Sequence, residues 1–142
     1  MRKESYDTST YDIRGLVQQY LGCDNLSKLH EQNAFADRLS EGNDQSTDLH
    51  RLFYDGMDSS PAFKKLYDRF VSEIVRPNFD FDIIFQTYPT FRIHQPNNVA
   101  VFEYHRDRDY NHHPKEINVF LPMTDAYDTN TFWVESAEGL ED

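Results

Sequence analysis

The chain has 142 residues, a formal net charge of −11 and an aromatic fraction of 15%. That length suits one domain with a single core, and the composition is not that of a disordered chain. The acidic balance excludes partners bound through a cationic stripe, nucleic acid and anionic membrane alike, and leaves neutral or cationic small molecules compatible with the field.

Cys23 is the single cysteine, so no intrachain disulfide framework exists and a reducing, cytoplasmic setting is expected. It follows Gly22 at the end of a predicted helix and has no adjacent basic residue, so a structural role is expected. The first residues, Met1-Arg2-Lys3-Glu4-Ser5, lead into polar sequence without an apolar leader core. No run reaches the roughly 18 apolar residues of a membrane span.

The first half reads as helical. Ile13, Leu16, Val17, Tyr20 and Leu21 recur at helical spacing, with Thr10 or Asp12 available as cap and Gly22 as stop. A less regular apolar set, Leu26, Leu29, Phe35 and Leu39, precedes the polar stretch Ser40 to Thr47, the expected loop or hinge. A short helix is predicted to carry Leu49, Leu52 and Phe53. The best-defined helix begins at Ser60-Pro61, a cap followed by proline where a missing N–H costs nothing. It carries Phe63, Leu66, Tyr67, Phe70, Val71 and Ile74 on one stripe before Pro77, a pattern of core packing.

From Phe79 the apolar period changes to two. Phe79, Phe81, Ile83 and Phe85 alternate with Asp80, Asp82, Ile84 and Gln86, and Phe91 and Ile93 alternate with Arg92 and His94 before the turn-forming Gln95-Pro96-Asn97-Asn98. Further strand-like runs are 99 to 106, 116 to 124 and 130 to 136, with a turn at Ala126 to Asn130. Helices first and short strands afterwards imply an antiparallel sheet with helices on one side, an α+β or mainly β jelly-roll arrangement. There is no glycine-rich phosphate loop, no G-x-S-x-G elbow and no internal repeat.

His105-Arg106-Asp107 closes the run Val99 to Tyr104. On a strand, residues two apart project from one side, so imidazole and carboxylate can hold one metal ion as two thirds of a facial triad. An isolated H-x-D also occurs as a solvated ion pair, and context decides. Asp107 and Asp109, with Arg106 and Arg108, form an alternating charge run that alone would mean only surface. His112-His113 lies between Asn111 and Pro114 and reads as a solvated loop or a substrate lid, since adjacent strand residues face apart.

The succession His105/Asp107, Glu116/Asn118, Leu121-Pro122-Met123-Thr124-Asp125, then Thr129-Asn130-Thr131-Phe132-Trp133-Val134-Glu135-Ser136 and Gly139 resembles the phytanoyl-CoA-hydroxylase-like branch of the 2-oxoglutarate/Fe(II) dioxygenases. Within it the likeness is to the hydroxylase-like proteins of streptomycin-type biosynthetic clusters. It covers roughly residues 79 to 139. The resemblance implies a partial double-stranded β-helix, a cupin-like jelly roll, with residues 79–142 as its incomplete core and residues 1–78 as a helical buttress of the same domain. It implies Fe(II) held by His105 and Asp107, 2-oxoglutarate as co-substrate, O2, and hydroxylation of a small, secondary-metabolite or sugar-like substrate. Asn118 and Phe102 occupy positions that contact the co-substrate in relatives. Arg92 and His94, on the polar side of their run, could meet a carboxylate of the co-substrate or the substrate. Glu103 could orient a metal ligand or pair with Arg92.

The distal histidine and the basic anchor of the co-substrate have no match before Asp142. The chain is therefore expected to be a C-terminally truncated form that binds Fe(II) weakly, does not turn over 2-oxoglutarate and self-associates through an open strand edge. Two other classes compete. One is a non-redox cupin-like module for a metal or small ligand, to which His113 and Glu116 bear a faint likeness. The other is a catalytically silent interaction domain.

Overall fold

Asp7 shapes the approach to the first helix by accepting from Ser9 N at 2.9 Å and from the Ser9 and Thr10 hydroxyls at 2.6 Å each. Those donors, the Ser9 hydroxyl foremost, hold the Asp7 carboxyl down to about 2. The computed structural model describes residues 2–32, 47–96, 111–113, 115–137 and 139–140. The chain divides into two units, Met1–Glu103 and Tyr104–Asp142.

Helix α1 spans Ile13–Leu21. Asp12 caps it, its carboxylate accepting from Gly15 N at 2.8 Å. Gly22 ends it in the left-handed region at φ 61°, which a glycine adopts without steric cost. Ile13, Val17 and Leu21 of the predicted stripe are buried, Leu16 and Tyr20 half-buried. A 3₁₀ segment, Leu26–Glu31, follows and buries Leu26 and Leu29. Phe35, Leu39 and nearly all of the predicted hinge lie outside the described residues.

Helix α2 spans Asp48–Ser59 and buries Leu49, His50, Phe53 and Met57. His50 closes its first turn: Nδ1 accepts from Thr47 N at 3.2 Å and lies 2.8 Å from Thr47 Oγ1. This is the place that Glu or Gln takes in the usual capping box. Helix α3, Pro61–Phe70, starts as predicted, with Ser60 Oγ accepting from Ala62 N at 3.2 Å and proline in the first turn. It runs on through a π turn, Val71–Val75, and a 3₁₀ turn, Arg76–Asn78. Pro77 has no N–H to continue the ladder, and the Asn78 amide instead donates to Ile74 O at 2.7 Å and Val75 O at 3.3 Å.

The three helices pack pairwise. Their shared interior is centred on Phe53, 1% exposed, whose ring meets Phe63 edge-on at 5.5 Å and Tyr20 at 6.4 Å. Gly56 lets α1 approach: a Cβ there would lie 2.5 Å from Tyr20 Cγ. A second aromatic group ties the N-terminal residues to the end of α3, with Tyr6, Tyr11 and Phe70 mutually edge-on at 5.0 to 6.4 Å. Cys23 is buried, its thiol directed to Asn25 O at 3.2 Å, in keeping with a structural role.

The mainly β expectation is overturned. Among the described residues there are three α-helices and no strand, so the jelly roll and the double-stranded β-helix are not the architecture of this chain. The runs 79–86, 90–95, 116–124 and 130–136 are bends or stretches without ladder pairing, and 99–106 lies outside the described residues. Alternation of apolar and polar residues reports an extended chain with one covered side, and it does not specify whether another strand or a helix does the covering. No helix among the described residues is long and apolar enough to cross a membrane.

Within Tyr104–Asp142, the predicted turn forms around Asn130. Its side chain accepts from Tyr127 N at 2.5 Å and donates to Asp125 O at 3.0 Å, with Asp128 at φ 48° between them. Gly139, at φ 83°, donates its N–H to the Glu135 carboxylate at 2.9 Å. Phe120 and Phe132 meet edge-on at 4.4 Å.

Candidate functional site

The segment after α3 carries the first candidate residues, and side chains from the helices hold it. Arg76 Nη1 donates to Phe79 O at 2.8 Å. Tyr67 of α3 donates its hydroxyl to Gln86 O at 3.0 Å and meets the Phe85 ring at 5.9 Å. Tyr54 of α2 accepts from Phe91 N at 3.1 Å and donates a longer bond to Pro89 O at 3.4 Å. The Phe91 ring stacks on Phe53 at 4.0 Å and meets His50 at 5.9 Å. Burial pushes the Tyr67 hydroxyl above its ordinary value, with Asp68 adding to the rise, so it stays a donor at neutral pH.

This attachment gives the segment two sides. Phe91, against the helices, and Ile93 are half-buried, and Arg92 and His94 are exposed. The predicted alternation at 91–94 is thus observed as burial, although the partner is a helix face. In the other unit Asn118 is exposed, His112 Nδ1 lies 2.9 Å from Glu116 Oε1, and His113 Nδ1 accepts from Lys115 N at 3.2 Å. His112, His113 and Glu116 are therefore engaged in a local turn.

His105, Asp107, Phe102 and Glu103 lie outside the described residues. Among the described residues no group of three or more His, Cys, Asp or Glu side chains is arranged to hold a metal ion. Of the sequence candidates, the structure places Arg92 and His94 on one side of one segment, and Asn118 in the second unit.

The residues that sequence reasoning missed are those that hold the segment. Tyr54 sits beside the buried stripe of α2, where only its neighbour Phe53 counted as apolar pattern. His50 was missed because a histidine at the third helical position is not the usual capping-box residue. The Thr47-x-x-His50 spacing was the available signal.

The described residues form a three-helix frame with an aromatic-strapped segment, and no protein-family model and no solved structure matches the chain. The sequence is similar to the "Streptomycin biosynthesis protein StrG" of Streptomyces griseus, 38% identical over 131 residues. The alignment takes in 92% of this chain and 62% of that protein, so the chain spans under two thirds of its relative's length.

Proposed function

We propose that this chain serves a small-molecule biosynthetic reaction as part of a non-haem Fe(II)/2-oxoglutarate-dependent dioxygenase that hydroxylates a secondary-metabolite or sugar-like substrate. The observation that carries the reading is the His105-x-Asp107 pair, followed by the Asn130-centred turn and the Glu135 to Gly139 contact, in a chain similar to a streptomycin biosynthesis protein. A facial triad is a set of donors on one metal, and such sets recur on unrelated scaffolds, so the helical frame does not count against it.

In this reading His105 and Asp107 hold the metal, which when bound supplies the oxidising chemistry by activating O2 with 2-oxoglutarate. Arg92 offers a guanidinium to a carboxylate of the co-substrate, in a chain whose net charge of −11 otherwise repels a dianion. His94, beside it on the exposed side, and Asn118 offer hydrogen bonds to co-substrate or substrate.

A second reading, an interaction domain without catalysis, is favoured by the exposed apolar side chains Ile117, Val119, Phe120, Trp133 and Val134 of the second unit. The test that separates the two is anaerobic titration with Fe(II) and 2-oxoglutarate, followed by the visible absorption that a chelated 2-oxo acid gives on Fe(II). The expected result is a band that His105→Ala and Asp107→Ala each weaken by about tenfold or more in apparent affinity. Equal Fe(II) and 2-oxoglutarate binding by chain and variants would overturn the dioxygenase reading.

A further inference from the structure

We infer that Tyr54 is a positioning residue that sets the register of segment 85–94 and thereby the side to which Arg92 and His94 are presented. Its hydroxyl is both acceptor and donor across one residue, taking Phe91 N–H at 3.1 Å and reaching Pro89 O at 3.4 Å. A hydroxyl does both from one atom, and Pro89 has no N–H with which to fix the segment itself. The Phe91 ring, stacked at 4.0 Å on Phe53 of the same helix, supplies a second attachment one side chain away. Tyr67 on α3 supplies a third at Gln86 O.

Among the described residues, the only backbone-to-backbone hydrogen bond of 79–95 is Phe79 N to Arg76 O. Side chains of α2 and α3 therefore do what ladder bonds do in a sheet. Register matters here because side chains alternate: a slip of one residue turns Phe91 and Ile93 outward and Arg92 and His94 onto the helices. A guanidinium facing an apolar helix surface would be desolvated without an anion to meet. The register is argued from these contacts. What Arg92 holds rests on the proposed function.

The experiment compares the chain with Tyr54→Phe and Arg92→Gln by hydrogen exchange at the Phe91 amide and by calorimetric titration of 2-oxoglutarate into the Fe(II)-loaded protein. Tyr54→Phe is expected to speed Phe91 exchange about tenfold, the loss of one hydrogen bond, and to weaken 2-oxoglutarate about fivefold with Fe(II) affinity unchanged. Wild-type exchange and wild-type 2-oxoglutarate affinity in Tyr54→Phe would overturn the positioning role. If Arg92→Gln leaves 2-oxoglutarate affinity intact, the assigned partner of Arg92 falls, and the exchange rate still decides Tyr54. Should Tyr54→Phe fail to fold, exchange in the unaltered chain decides: the Phe91 amide, held by Tyr54 at 3.1 Å, must exchange at least about tenfold more slowly than an unbonded amide, and exchange at the unbonded rate overturns the inference.

Discussion

The helical frame and the Tyr104–Asp142 unit solve the backbone problem in opposite ways. Helices satisfy their N–H and C=O groups internally and are free to commit one stripe to a core, so α1, α2 and α3 bury Val17, Leu49, Phe53 and Phe63 almost completely. The described residues of the second unit lie in turns, bends and stretches without regular structure, and none of them is buried. It keeps Trp133 66% exposed and holds its shape through polar turns, such as Asn130 on Tyr127 N and Asp125 O. Stability is concentrated where local hydrogen bonding and burial coincide, and segment 85–94 is attached to that frame by a few side-chain contacts.

The largest expected effect lies at the centre of the frame. Phe53→Ala removes the ring that meets Tyr20, Tyr54, Phe63 and Phe91, and should destabilise the chain by about 3 to 5 kcal/mol in urea denaturation. A loss under about 1 kcal/mol would break the contrast, because the frame would then not be where stability resides.

Gly56→Ala sharpens the same point by setting two effects against each other. In an exposed helix the change should stabilise by about 0.8 to 1 kcal/mol through propensity. Here the new methyl would fall 2.5 Å from Tyr20 Cγ, 2.7 Å from Cδ1 and 2.9 Å from Cβ. The near atoms include the root of the ring and not only a flexible tip, so α1 and α2 must separate, and overpacking of about 1 to 3 kcal/mol should win. A stabilised Gly56→Ala protein would show that the α1–α2 contact yields without cost.

What the sequence made legible follows the same division. Asp12 and Gly22 around α1, and Ser60-Pro61 before α3, are read from local chemistry that needs no distant partner, and they stand where predicted. Leu49 and Phe53 also lie on a helix as expected, but its start is closed by His50, an unusual capping residue. The β architecture was misread because alternation at Phe91-Arg92-Ile93-His94 records only that one side is covered. The covering surface is Phe53, Tyr54 and His50, some forty residues earlier, and no local pattern encodes that pairing. Of the candidate site, the side taken by Arg92 and His94 was legible for this reason, and Tyr54 was not. His105 and Asp107 remain a sequence motif beyond the described residues.

The second unit should respond weakly to loss of apolar surface. Trp133→Ser is expected to change stability by less than about 0.5 kcal/mol, measured by the same urea titration, because the indole is mostly in water already. A loss of about 2 kcal/mol or more would mean that the indole is covered in solution and would remove the contrast between the units.

The smallest effect is a slope in pH. Glu73, on the π turn after α3, accepts the Tyr11 hydroxyl and both of its oxygens lie 3.2 Å from Arg69 Nε, while the Arg69 guanidinium also sits 4.8 Å from the Tyr11 ring centroid. The Tyr11 hydroxyl first, and Arg69 second, hold the Glu73 carboxyl below its ordinary value of 4.5. The same hydrogen bond pushes the Tyr11 hydroxyl up, so it remains a donor through the acid range. A folded-state value below the unfolded one means that the charged form is favoured by folding. Its contribution is full above about pH 4.5 and is lost as pH falls through the folded value. Glu73→Gln should therefore lower Tm at pH 7 and lose less Tm than the wild type between pH 5 and pH 3. The Asp7 carboxyl, held down to about 2, accounts for a further loss in acid that Glu73→Gln leaves in place. Parallel Tm curves for the two proteins from pH 7 to pH 3 would show that the Tyr11, Arg69 and Glu73 cluster does not fasten the N-terminal residues to the end of α3 in solution.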